Sequence, residues 1–472
     1  MSFDPIIAGF HPDPTVCRVG ADYYLATSSF EYVPGVPLFH SRDLASWRQI
    51  GHILTRPGQL DPDELSPSRG IFAPTLRYHG GRFWMVTTNT SRMMSGQLIV
   101  HAADPAGPWS DPVHVSGAIG IDPDLAWDEA GNCYLTYASY GMAAPAGITQ
   151  VRILPATGTE LSDHYPVWPG SGLVHPEGPH LYRIDGLWYL MLAEGGTERG
   201  HAVTIARGPA PEGPFTACPG NPILSHRSTG HPVQNTGHAD LVQAADGRWW
   251  AVHLGVRPRG TTPHFHVLGR ETFLARVDWT DGWPALTTVS RPGGPVDHSF
   301  TVTDGVFDER WVAPGADPAA IAAPHPDGGA RLRSAGLLCV RVRDQAWSAT
   351  AEFDGPGRLV LRLDHRHWYA LHVADGVATA IARVGDLEQV VGTGPAGPLG
   401  LAAVAPAGAD NPGSAAGPDE IVLSAGDVEL ARLDGRYLST EVAGGFTGRL
   451  LGIGTLGPAE TRLVSFTYRS DR

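Results

Sequence analysis

An aromatic hairpin recurs five times in the first three hundred residues, and this period constrains the fold more than any other feature. The copies read Ala21-Asp22-Tyr23-Tyr24-Leu25, Gly81-Arg82-Phe83-Trp84-Met85, Gly131-Asn132-Cys133-Tyr134-Leu135, Asp185-Gly186-Leu187-Trp188-Tyr189-Leu190 and Gly247-Arg248-Trp249-Trp250-Ala251. The anchors Tyr24, Trp84, Tyr134, Tyr189 and Trp250 fall 50 to 61 residues apart. Each copy is a short alternating run, a tight turn and an aromatic strand. Repetition at this spacing predicts a propeller of small antiparallel sheets, and five copies predict five blades.

In such a fold the first strand of every blade lines a central channel, so the heads of these strands converge at one mouth. Stepping back about twelve positions from each anchor reaches Asp13, Phe72, Asp122, Glu177 and His238. Three of these five heads are carboxylates. The competing reading, that such acids only cap turns, fits less well, because Asp-Pro and Glu-Gly-Pro stand before apolar strands. Two further acids compete for the site. Asp124 shares a strand face with Asp122 but is not the repeat-equivalent head, and Glu194 follows the aromatic strand, away from the expected mouth. Phe30 and Tyr32 lie on a turn-rich loop leaving the same rim, where either can face a sugar ring or pack on the loop. Phe72 replaces an acid with a stacking surface. Arg270 sits on a further strand that would close the ring.

Past Trp283 the pattern changes. Aromatics thin out, and short alternating runs such as Leu359-Val360-Leu361-Arg362-Leu363, Glu420-Ile421-Val422-Leu423 and Arg462-Leu463-Val464-Ser465-Phe466 stand between Gly, Pro and Asp turns. The expectation is an all-β chain: a five-bladed β-propeller over residues 1–295, followed by a jelly-roll-like β-sandwich over 296–472. The low-complexity stretch from Ala405 to Pro418 reads as a hairpin loop.

Composition narrows the function. The chain has 472 residues, 17% of them charged, and a formal net charge of -14. This disfavours nucleic acid and anionic membranes as partners and suits a neutral ligand. There is no lysine, which removes Schiff-base and Walker-type chemistry. Cys17, Cys133, Cys218 and Cys339 are far apart and read as reduced core residues. His264 and His266 share a strand face but have no third ligand at suitable spacing, so a solvated pair is expected. With no basic or apolar leader visible, the default location is cytoplasmic. A homo-oligomer is compatible with the sequence.

Three carboxylates and a histidine around one mouth, without a phosphate loop or nucleophile elbow, suit hydrolysis of a glycosidic bond. One carboxylic acid must donate a proton to the leaving oxygen, while an ionised carboxylate activates water or attacks. A third raises the donor's pKa by like-charge repulsion. Glu177 suits the donor, Asp13 the base and Asp122 the modulator.

At these same residues the chain resembles glycoside hydrolase family 43, which includes β-xylosidases and α-L-arabinofuranosidases. The matching segments are Gly9-Phe10-His11-Pro12-Asp13-Pro14-Thr15, Gly70-Ile71-Phe72-Ala73-Pro74, Ile121-Asp122-Pro123-Asp124-Leu125, Glu177-Gly178-Pro179-His180-Leu181-Tyr182, Ala193-Glu194-Gly195-Gly196-Thr197, Thr236-Gly237-His238-Ala239-Asp240 and Leu268-Gly269-Arg270-Glu271-Thr272. The resemblance implies an exo-acting, inverting hydrolase of pentose-bearing oligosaccharides, with Asp13 as general base, Asp122 as modulator and Glu177 as general acid. It places Phe30, Phe72, His238 and Arg270 around the terminal sugar. It requires no cofactor, although in relatives a histidine like His238 can face a cation or water in the channel, which leaves room for calcium. Phe72 stands where many xylosidase relatives carry Trp. Two alternatives stay open: a non-catalytic, lectin-like propeller, and a retaining fructosidase-like enzyme in which Asp13 attacks the sugar.

Overall fold

A computed structural model describes residues 3–260, 262–333, 336–406 and 417–471, and the chain is all-β. Every one of the five repeats forms an antiparallel sheet. Their first strands are Thr15–Val19, Thr75–His79, Gly120–Trp127, Glu177–Ile184 and Gln234–Gln243. The aromatic anchors lie on the second strands, opposite Cys17, Arg77, Ala126, Tyr182 and Val242 respectively. The recurrent hairpin of the sequence is thus the first pair of strands in each sheet.

The five first strands contact one another in a closed cycle, each touching the one before and the one after. Five apolar clusters fill the spaces between successive sheets. Leu38, Ile53, Leu76 and Met85 lie between the first and second. Trp84, Val86, Leu125 and Leu135 join the second to the third, and Ile121, Trp168, Leu181 and Leu190 the third to the fourth. Tyr189, Met191, Ala251 and Val277 pack the fourth on the fifth, and Val16, Leu25, Val252 and Leu274 return from the fifth to the first. Each such side chain contributes about 1.5–3 kcal/mol by leaving water. This is why aliphatic residues alternate with the aromatic anchors along every second strand. The N-terminal segment completes the cycle: Ile7 bridges Thr272, and the His11 amide donates to the Arg270 carbonyl at 3.0 Å.

The C-terminal part contributes an eight-stranded and a six-stranded sheet. They share one core that includes Trp347, Leu361, Tyr369, Leu401 and Phe466. The expected alternating runs form the strands Gly357–Arg362, Glu420–Ala425 and Thr461–Ser470, with only Leu363 beyond a strand end. The loop expected between Ala405 and Pro418 lies largely outside the described residues. This part grips the first closely. Ala313–Pro314 pairs with Tyr32–Val33. Gly448 runs so near the 268–269 backbone that a Cβ there would meet the Leu268 carbonyl oxygen at 2.3 Å, a contact only glycine permits. The 444–448 loop is thereby laid over the end of the ring that carries the strand heads. No helix among the described residues is long and apolar enough to cross a membrane.

Candidate active site

The backbone at the strand heads is irregular in a way that aims side chains. Asp13, Asp122 and His238 have φ of +54°, +56° and +48°, and Gly178, next to Glu177, has +54°. The register shifts by a bulge between Ile121 and Asp124, between Glu177 and His180, and on both sides of Gly237, the second of these shifts spanning His238. A left-handed residue inside a bulge turns its side chain out of the ladder, and non-glycine residues adopt it at about 1–3 kcal/mol each where the surroundings enforce it. The Asp-Pro and Gly-Pro steps of the sequence mark these bulges.

All seven side chains expected at the mouth meet there. Asp13 is 5% exposed. Its Oδ1 accepts from Arg270 Nη1 at 2.9 Å, and its Oδ2 accepts from the Ser28 hydroxyl at 2.5 Å. His238 Nδ1 is 3.8 Å from the same Oδ1. Burial raises the Asp13 pKa, but Arg270, His238, the Ser28 hydroxyl and His201 outweigh it, so the carboxyl is held below the ordinary aspartate range. Asp122 accepts the Gly178 N–H at 3.2 Å. Its pKa is driven far up, first by burial and then by the charges of Glu177 and Asp13. Burial and the neighbouring Asp13 push Glu177 up to about 7 against the opposing pull of Arg270. One mouth therefore holds an acid held below the ordinary range beside two that are raised above it.

His238 is a buried neutral ring, lowered to about 4 chiefly by desolvation. It lies flat against Gly178, where an added Cβ would come within 3.0 Å of the ring. Arg270 also donates from Nη1 to Thr197 Oγ1 at 3.1 Å, while its Nε and Nη2 have no hydrogen-bond partner among the described residues. Phe30 and Phe72 face each other with ring centroids 5.0 Å apart. Tyr32, the alternative to Phe30, is fully buried under Phe10 and takes no part in the mouth.

The competing acids are committed elsewhere. Glu194 accepts from the Ser171 amide and the Thr204 hydroxyl. Asp124 lies one layer deeper, on Arg77. Of the pair expected to be solvated, His264 is exposed, whereas His266 is a correction: its Nδ1 lies 2.5 Å from Glu441 Oε1 of the C-terminal part, because the chain from 265 to 268 is covered rather than on an open strand.

Sequence reasoning missed Ser28, Thr197 and Phe446. Phe446 comes from the C-terminal part and stacks on Phe30 at 5.9 Å and edge-on to Phe72 at 6.0 Å, with the Arg270 guanidinium 5.8 Å from its ring. The only sequence trace of this contact is an aromatic set among glycines, Gly444-Gly445-Phe446-Thr447-Gly448. Tyr140 stands half exposed at the rim, its hydroxyl raised to about 12 by burial and then by Asp122 and Glu177.

The donors present do not fit calcium beside His238. Among the described residues no three His, Cys, Asp or Glu side chains converge as a cation cage. Calcium takes six to eight oxygens, whereas the two channel carboxylates, Asp124 and Asp240, are already paired with Arg77 at 2.8 Å each.

The chain is 47% identical over 298 residues, 60% of its length, to a xylosidase/arabinosidase of Butyrivibrio fibrisolvens, of which the match covers 56%. It is also 47% identical over 287 residues to a non-reducing end alpha-L-arabinofuranosidase of Bacteroides ovatus, covering 60% of this chain and 53% of that one. The match thus spans about half the length of these curated relatives. The solved structure of a xylan beta-1,4-xylosidase from Bacillus halodurans superposes over 100% of both chains with a TM-score of 0.86 at 27% identity. The model of glycosyl hydrolases family 43 matches residues 3–284, a span that contains every strand head and Arg270, and the chain belongs to that family.

Proposed function

We propose that this protein is an exo-acting glycoside hydrolase that releases a terminal pentose, β-linked D-xylose or α-L-arabinofuranose, from hemicellulose-derived oligosaccharides with inversion. In this reading the five sheets are the blades of a propeller over residues 1–295, and the two larger sheets are the layers of a sandwich over 296–472. The observation that carries the proposal is the split between Asp13, held ionised by Arg270 and Ser28, and Glu177, pushed up to about 7. Two carboxyls whose surroundings drive them apart in pKa are an acid and a base.

Glu177 gives its proton to the glycosidic oxygen as the bond to the anomeric carbon breaks. Asp13 takes a proton from the water whose oxygen attacks that carbon from the opposite face. Burial and the charge of Asp13 keep the donor's proton on, and Asp122, itself raised, positions the donor through the Gly178 amide. The free Nε and Nη2 of Arg270 suit sugar hydroxyls, and the Phe30, Phe72 and Phe446 rings suit the apolar face of a pentose ring. A wall contributed by the C-terminal part favours a pocket over an open groove, hence cleavage from a chain end. The names of the relatives, xylosidase and arabinosidase, support a pentose.

The test is turnover of aryl β-D-xyloside, aryl α-L-arabinofuranoside and xylo-oligosaccharides, with NMR following the anomer first released. Inversion on either pentoside supports the proposal. Retention would make Asp13 a nucleophile, and sugar binding without turnover would make the protein a carbohydrate reader.

A further inference from the structure

A second polar layer lies directly beneath the acids. Arg77, on the first strand of the second sheet, projects into the channel with its side chain only 15% exposed. Its Nη2 donates to Asp124 Oδ1 at 2.8 Å and lies 3.0 Å from His180 Nδ1. Its Nη1 donates to Asp240 Oδ2 at 2.8 Å and to Thr15 Oγ1 at 3.3 Å. One guanidinium on the second sheet therefore reaches the first strands of the other four. The partners are tied to one another as well. Asp240 accepts from Thr15 Oγ1 at 2.7 Å, the Val16 amide at 2.9 Å and the Tyr182 hydroxyl at 2.6 Å, and Asp124 accepts from the Leu181 amide at 2.9 Å.

Each partner of Arg77 sits two or three residues beyond a residue of the mouth: Thr15 after Asp13, Asp124 after Asp122, His180 after Glu177 and Asp240 after His238. The backbone leading from mouth residue to partner is left-handed at Asp13, Asp122, Gly178 and His238, and the last three of these lie in bulges. Such a segment keeps its conformation only where both ends are fixed. Above, the ends are fixed by the contacts of the acids; below, by Arg77. A lysine would have to gather two carboxylates and an imidazole from three strands around a single nitrogen, whereas the flat guanidinium fork reaches them from two.

We infer that Arg77 is a positioning residue and the channel's built-in cation, clamping the layer that sets the mutual placement of Asp13, Asp122 and Glu177 where a metal ion would otherwise be needed. The inference deepens the hydrolase reading and rests on it for the identity of the acids.

The test compares wild type, Arg77→Ala and Arg77→Lys. Wild-type turnover of aryl pentosides is measured first, and its absence would sink the hydrolase reading alone. Melting of the wild type with EDTA or with added Ca²⁺ tests the cation independently of turnover. No change supports Arg77, and a Tm that rises with Ca²⁺ and falls with EDTA overturns it. For both variants the expectation is a kcat lowered about ten- to a hundredfold with KM moved less than about threefold, since misplaced groups harm the transition state more than sugar binding. In Arg77→Ala the uncompensated charge of Asp124 and Asp240 should move the acid limb of the kcat/KM profile to higher pH, and guanidinium ion should restore both rate and limb. Arg77→Lys, which keeps the charge, should lose rate without moving the limb, and it carries the test if Arg77→Ala does not fold. A folded variant with wild-type kcat, or one whose rate loss tracks only the folded fraction with an unmoved profile and no rescue, would overturn the positioning role.

Discussion

Arg270 Nη1 donates to Asp13 Oδ1 at 2.9 Å while its Nε and Nη2 have no hydrogen-bond partner among the described residues. One cation thus ionises the base and still has hydrogens to spend on a ligand. Its field lowers Glu177 as well, but there burial and the charge of Asp13 prevail. The rate against pH should therefore be a bell. Its acid limb lies below the ordinary aspartate range, where Asp13 gains a proton, and its alkaline limb lies near 7, where Glu177 loses one. Arg270→Met removes a field that lowers both groups, so both limbs should move to higher pH and kcat/KM should fall about a hundredfold. Limbs that stay in place on kcat/KM profiles would show that Arg270 does not tune the pair.

Glu177→Gln separates chemistry from stability. Turnover of unactivated xylobiose should be lost, while an aryl glycoside whose leaving group needs no proton keeps much of its rate; equal loss on both would remove Glu177 from the donor role. A carboxyl whose folded pKa is raised is unfavourable once ionised. The native state is penalised fully above its folded value near 7, and the penalty vanishes below the unfolded value of the glutamate. The neutral amide should thus stabilise the unliganded protein by roughly 3 kcal/mol above pH 7. Below about pH 4 it should change nothing. Chemical denaturation at the two pH values reads this directly.

Gly178 holds the His238 ring against the mouth, and its φ of +54° is one that L side chains rarely adopt. Gly178→Ala places a Cβ 3.0 Å from the ring carbon and adds a left-handed alanine, a loss of about 1–2 kcal/mol before any repacking. Because the ring must shift toward Asp13, kcat should fall more than the melting temperature alone explains. A variant with full kcat and only a lowered Tm would confine Gly178 to the backbone.

The ring of sheets was legible because its signal is local: an aromatic anchor faces its own first strand within a dozen residues, as Trp84 does Arg77. The heads Asp13, Asp122, Glu177 and His238 could be found by stepping back along that same hairpin. Their left-handed backbone could not, since bulges appear only once strands are paired, and Asp-Pro alone is as good a turn. The contacts that complete the site were out of reach for another reason. Arg77 meets Asp240 across 163 residues and Arg270 meets Asp13 across 257. Phe446 belongs to a part of the chain whose own strands carry no acid cluster to draw attention to it. His264 and His266 looked like a solvated pair because alternation predicts a face but not what covers it, and Glu441 covers His266.

The Glu441 contact bears on the pocket through Phe446, five residues further on. Glu441 Oε2 accepts the His266 amide at 3.1 Å, Oε1 meets His266 Nδ1 at 2.5 Å, and Thr440 Oγ1 lies 2.7 Å from Nε2. Burial would raise the Glu441 carboxyl, but the His266 ring and amide hold it below the ordinary glutamate range. This latch fixes the start of the loop that ends at Gly448 and presents Phe446 to Phe30 and Phe72. Phe446→Ala deletes ring contacts worth about 0.5–1.5 kcal/mol, and since the ring acts on bound sugar rather than on the acids, KM should rise about three- to tenfold with kcat within about twofold. Glu441→Gln, far from the sugar, should raise KM in the same direction by loosening the loop. The double variant decides whether the two act as one device: if Glu441 works through Phe446, its effect on KM disappears once the ring is gone. Effects on KM that multiply would separate the latch from the pocket and leave it as an anchor between the two parts of the chain.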